Sequence, residues 1–216
     1  MVTEKLNELV KISVNENLLI GELRIPEQAK GIVLFSHGSG SSRHSPRNKE
    51  VAKVLRQNSF ATLLIDLLSE KEDAIYNNRF DIELLTDRLI HVIRWIDNFE
   101  ETKELKIGLF GASTGAASAL SAAVVLGDKI RAVVSRGGRP DLALRVLPEV
   151  SSAVCLLVGS LDQPVIGMNE VSLNALNNAI DKELVIVSGA SHLFEEPGKL
   201  QEVSELATSW FRKFLK

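Results

Sequence analysis

Hydrophobic and polar positions along this chain alternate between two rhythms. Short apolar runs cover Gly31 to Phe35, Phe60 to Leu67, Ile107 to Phe110, Ile130 to Ser135, Ala153 to Val158 and Leu184 to Val187. Runs of that length predict strands buried on both faces. Between them lie stretches whose apolar residues recur at helical spacing. One runs from about Asn48 to Gln57, with Val51, Val54 and Leu55 on one side. A longer one spans Phe80 to Phe99, with Leu84, Leu85, Leu89, Val92, Ile93 and Ile96 in register. Further helices are predicted over Ala116 to Leu126, Asp141 to Val146, Glu170 to Ile180 and Leu200 to Leu215, while Ser69 to Asn78 reads as a polar, irregular loop. At the start, Val10 to Val14 and Leu18 to Ile25 flank the turn signal Asn15-Glu16-Asn17 and predict an antiparallel hairpin closed by Pro26. Strand and helix in alternation predict an α/β fold: a mostly parallel sheet with helices on both faces. No repeat, low-complexity tract or linker interrupts it, so one domain over 1–216 is expected.

The densest signal is Gly111-Ala112-Ser113-Thr114-Gly115, set between an apolar strand and a helix of small residues. A G-x-S-x-G in that context is the nucleophile elbow, a turn sharp enough to lift the serine clear of the sheet. Gly111 and Gly115 fall where any Cβ would collide with the crossing backbone. The Thr114 amide would open the helix, where unpaired N–H groups and the macrodipole favour a developing negative charge. By itself the pattern also fits a glycine-rich turn whose serine only caps a helix.

The remaining loops favour the chemical reading. A serine hydroxyl is a weak nucleophile at neutral pH and needs a base within reach. The loop after the last strand supplies His192, and the one before it supplies Asp162, a carboxylate able to hold the imidazole and stabilise its charged form. Asp141 also follows a strand end and stands as an alternative partner for that ring. The order Ser113, Asp162, His192 is that of α/β-hydrolases. A second donor to a developing oxyanion is expected from Ser36-His37-Gly38-Ser39-Gly40-Ser41-Ser42, with the Ser39 amide facing that of Thr114. His37 is expected to bond within its own loop.

Composition narrows the function classes. The 216 residues carry a net charge of −3, which gives no reason to expect nucleic acid. Cys155, the only cysteine, lies in an apolar strand and reads as an inert thiol. Met1 to Glu16 lacks an apolar core of the signal-peptide kind, and Ala116 to Leu126 is too short to span a bilayer, so a soluble cytoplasmic protein is expected with no membrane partner. The chemistry requires no metal and no organic cofactor. An exposed edge at the hairpin would permit pairing into a homodimer.

On the His37-Gly38 loop, the 111–115 elbow, Asp162, and His192 with its trailing Phe194-Glu195-Glu196-Pro197-Gly198, the chain resembles an α/β-hydrolase, and within that superfamily the dienelactone hydrolase group. The resemblance covers Val10 to the C-terminus. It implies a catalytic set of Ser113, Asp162 and His192 with Ser39 and Thr114 as oxyanion donors, and a small ester or lactone as substrate. Dienelactone hydrolases proper carry cysteine at the elbow, whereas this chain carries serine. No long insertion follows the strand at Ile130 to Ser135, so no cap domain and an open pocket are expected. Thioesterase or acyl-transfer activity, and a binding module without turnover, are the alternative functions. Arg43, His44 and Arg47 crowd the first loop, and Arg136 and Arg139 flank Gly137-Gly138. These charges fit solvated loops, and the sharper alternative is that Arg43 and Arg139 grip an anionic substrate group.

Overall fold

The structure, a computed structural model, describes residues 3–216. Strands β1 (Glu4–Val14) and β2 (Asn17–Pro26) form the hairpin, and β3 (Ile32–Ser36), β4 (Ala61–Ile65), β5 (Ile107–Ala112), β6 (Ile130–Arg136), β7 (Ala153–Gly159) and β8 (Lys182–Val187) complete one sheet. The order is β1-β2-β4-β3-β5-β6-β7-β8, antiparallel from β1 to β4 and parallel from β4 onward. The helices are α1 (Pro46–Gln57), α2 (Glu70–Asp73), α3 (Ile82–Asn98), α4 (Thr114–Leu126), α5 (Gln163–Ala175) and α6 (Lys199–Phe214).

Alternation along each strand assigns side chains to two cores. Ile32 and Leu34 of β3, with Ile107 and Leu109 of β5, pack into the layer that holds α3 and α4. Val33, Phe35 and Phe110 face the opposite way, into the layer formed by α1 and α6. These central strands are buried throughout, as parallel strands covered on both sides must be. On β5 a Cβ at Gly108 would lie 2.7 Å from the Phe211 ring, so the absence of a side chain there admits that of α6.

Several predicted boundaries move, each for a local reason. β1 starts at Glu4, not Val10, because its outer face carries the polar residues of an edge strand. Helix α5 starts at Gln163 instead of Glu170, since Pro164 is acceptable in a first helical turn. The segment 141–146 forms no α-helix; 3₁₀ turns cover Pro140–Ala143 and Leu147–Glu149. The stretch expected to be irregular contains α2, closed by a reciprocal capping box between Ser69 and Glu72. Glu72 also reaches Arg88 of α3 at 2.5 Å, which ties this surface segment down.

The junction of β3, β5 and α4 leaves no room for a side chain against neighbouring backbone. A Cβ on Gly115 would stand 2.1 Å from the Ser36 carbonyl oxygen and 2.6 Å from that of His37; one on Gly111 would meet the Ala116 Cα at 2.5 Å. Intrinsic propensity would favour alanine over glycine in α4 by about 1 kcal/mol. Overpacking against backbone that cannot retreat costs about 3 kcal/mol or more and outweighs it. Gly115→Ala is therefore expected to lower the urea midpoint of unfolding sharply; an unchanged or raised midpoint would contradict this account of the junction.

Candidate active site

The elbow is built from backbone geometry. Ser113 has φ 51° and ψ −124°, a conformation costing a non-glycine residue about 1–3 kcal/mol. It is held from three sides: its N–H donates to the Arg136 carbonyl at 3.4 Å, and its own carbonyl accepts from the amides of Ala116 at 3.1 Å and Arg139 at 3.0 Å. The hydroxyl makes no capping bond to α4, so Ser113 is not there as a helix cap. It is partly exposed, in a cavity of about 180 Å³ shared with Gly38, Ser39, Arg47, Arg136 and His192.

His192 enters that cavity from the loop after β8, and Asp162 stands at the end of the β7 loop, where it opens α5. Nδ1 of His192 lies 2.6 Å from Oδ2 of Asp162. The imidazole is moderately exposed, whereas the carboxylate is mostly covered. That arrangement fixes the ring and leaves Nε2 for another partner. Asp141, the alternative orienter, is committed elsewhere: both its oxygens accept from Arg139, at 2.9 and 2.8 Å. No hydrogen bond joins Ser113 Oγ to His192 among the described residues; the two are brought together as walls of one cavity.

The first loop closes on the serine from the other side. A Cβ on Gly38 would fall 2.9 Å from that of Ser113, so the loop passes as close as glycine allows. His37 bonds within its own loop as expected: Nδ1–H donates to the Gly38 carbonyl at 3.0 Å while Nε2 accepts from the Leu67 amide at 3.4 Å, which requires the neutral ring protonated on Nδ1. The Thr114 amide, first in α4, donates to no acceptor among the described residues. The Ser39 amide departs from expectation: it donates to the Thr114 hydroxyl at 2.9 Å, tying the loop to the elbow instead of pointing unpaired into the cavity.

The arginines sort differently from their expected roles. Arg43 pairs with Asp66 and lines a separate groove beyond β4, and Arg139 is bound in bidentate fashion by Asp141. Neither lines the Ser113 cavity. Arg47 and Arg136 do. The sequence signal for Arg136 is parity: it follows Ala132 and Val134 in the strand alternation that faces α1 and α6, whereas Arg139 lies beyond the strand.

A model of the dienelactone hydrolase family matches residues 21–215. The crystal structure of a dienelactone hydrolase from Anabaena variabilis is 51% identical, with a TM-score of 0.93 over 98% of this chain and 99% of that one. Est1E from Butyrivibrio proteoclasticus shares the fold at 14% identity and a TM-score of 0.80, over 95% of this chain and 98% of its own. Among curated proteins, a Mycobacterium tuberculosis relative named as a putative phosphoribosyl transferase is 48% identical over 205 residues, 95% of this chain but 46% of its own length. This chain thus spans about half the length of that relative. With its eight-stranded sheet and serine elbow, the chain belongs to the dienelactone hydrolase family.

Proposed function

We propose that the protein is a serine hydrolase that cleaves a carboxylic ester or lactone through an acyl-enzyme. The observation that carries this reading is the His192–Asp162 contact at 2.6 Å, on the wall of the cavity into which the strained turn lifts Ser113. His192 Nε2 takes the proton from Ser113 Oγ as that oxygen attacks the substrate carbonyl, and Asp162 holds the imidazolium through Nδ1–H. The tetrahedral oxyanion is received by the unpaired Thr114 amide. The Ser39 amide joins it by sharing the N–H now given to the Thr114 hydroxyl. On collapse the C–O bond breaks and the alkoxide leaves with the proton from His192. Water, deprotonated by the same ring, then attacks the acyl group, releasing the acid and restoring Ser113.

Two other features support serine in this role. Cys155 is buried in β7, and burial, with Glu183 nearby, pushes its thiol up to about 12, so the only cysteine is no nucleophile at neutral pH. The name carried by the Mycobacterium tuberculosis relative points to sugar-phosphate transfer, but that name describes a protein about twice as long. We therefore assign hydrolysis to the segment shared with this chain.

Hydrolysis of p-nitrophenyl acetate tests the assignment. Ser113→Ala should lower kcat by about 10⁴- to 10⁶-fold, and Asp162→Asn by about 10³- to 10⁴-fold, with little change in KM. Iodoacetamide at neutral pH should leave the native enzyme active. Turnover that survives loss of Ser113, or disappears on thiol alkylation, would contradict the scheme.

A further inference from the structure

The cavity beside Ser113 is chemically one-sided. Arg47, Arg136, Ser41, Ser45 and His192 line it, and no carboxylate does among the described residues. Arg136 is only 7% exposed, yet its guanidinium has one hydrogen bond, a long 3.4 Å contact from Nη2 to the Asn48 side-chain oxygen. Among the described residues its Nε and Nη1 have no acceptor, and neither does Nε of Arg47. Burying a guanidinium with two donors unsatisfied is costly, and a like charge beside it adds to that cost. Burial, with Arg47 nearby, pulls the Arg136 guanidinium down to about 10, which leaves it charged at neutral pH.

Two further features give the same sign. Ser45 caps α1, a twelve-residue helix whose first turn contains no acidic residue, so the positive end of its dipole faces the cavity with only the Ser45 side chain capping the Asn48 amide. The one carboxylate near Arg47, Glu195 at 2.8 Å, is 62% exposed on the rim, where an ion pair contributes little and can be exchanged. Two cations, a helix N-terminus and two serine hydroxyls exceed what a planar monoanion needs. They match a tetrahedral dianion with several acceptor oxygens.

Resting on the hydrolase reading above, we infer that the ester cleaved at Ser113 carries a phosphate group, held by Arg136 and Arg47 at the N-terminus of α1. Arg136 forms the floor of this subsite and Arg47 its outer wall. Glu195 holds Arg47 in place until the phosphate replaces it. The subsite sets which esters can present their carbonyl to the serine, and it takes no part in breaking the bond.

Calorimetric titration at about pH 8 and constant ionic strength tests this without requiring turnover, using inorganic phosphate and acetate as probes. The wild-type protein should bind phosphate at least about tenfold more tightly than acetate, and both Arg136→Gln and Arg47→Ala should weaken phosphate by roughly 10- to 100-fold. Because Arg136 is buried, Arg47→Ala with an unchanged circular dichroism spectrum is the decisive variant. Phosphate should also raise the KM of p-nitrophenyl acetate and leave kcat unaltered. Equal binding of phosphate and acetate, no binding of phosphate, or full phosphate affinity in Arg47→Ala would overturn the inference. If phosphate binds as predicted while p-nitrophenyl acetate is not hydrolysed, the subsite stands and the hydrolase reading falls.

Discussion

Close approach of backbone to backbone at one point governs this molecule. The end of β3, the end of β5 and the first turn of α4 meet with no room for a side chain at Gly111 or Gly115. Ser113 takes a positive-φ conformation at that junction, and the strain is tolerable because three backbone hydrogen bonds hold the residue on both sides of its Cα. The two apolar layers anchor the three elements so that the turn cannot relax. The turn exposes the hydroxyl and leaves the Thr114 amide unpaired. The geometry around Ser113 is a product of how tightly the centre of the fold is packed.

The rest of the cavity is arranged by topology. Parallel strands deliver every following loop to the same rim of the sheet, so Asp162 after β7 and His192 after β8 arrive beside a serine that follows β5. The loop after β3 arrives there too, and the bond from the Ser39 amide to the Thr114 hydroxyl fastens it to the elbow. The charge in the cavity draws on the opposite resource. Ser113 is uncharged and His192 is paired with Asp162, while Arg136 is a buried charge that the fold leaves under-satisfied beside them. A buried charge left in that state is costly to the fold, and it is the ground for the phosphate subsite inferred above.

Much of this was legible in the sequence because the signals are periodic or steric. Fully apolar strands required burial on both faces, and the elbow glycines announced a collision that the fold does contain. Pairing was less legible. Loop order favours Asp162 over Asp141 as the partner of His192 without excluding Asp141, and only three-dimensional placement gives Asp141 to Arg139. Which arginines line the cavity is equally hidden, since Arg43, Arg47, Arg136 and Arg139 look alike in the letters until their carboxylate partners are known. The orientation of the Ser39 amide depends on a single peptide plane, which spacing does not encode. Segment ends are less legible where the apolar spacing is weak, as at the start of α5, which Pro164 opens in its first turn.

The central claim is that the packing at the elbow makes Ser113 an activated nucleophile. It is tested most directly by treating the folded protein with a fluorophosphonate and locating the adduct by peptide mass spectrometry. The account predicts one stoichiometric adduct on the peptide containing Ser113, abolished by prior unfolding and strongly slowed by Asp162→Asn. A folded protein that remains unmodified, or one modified at another residue, would contradict it.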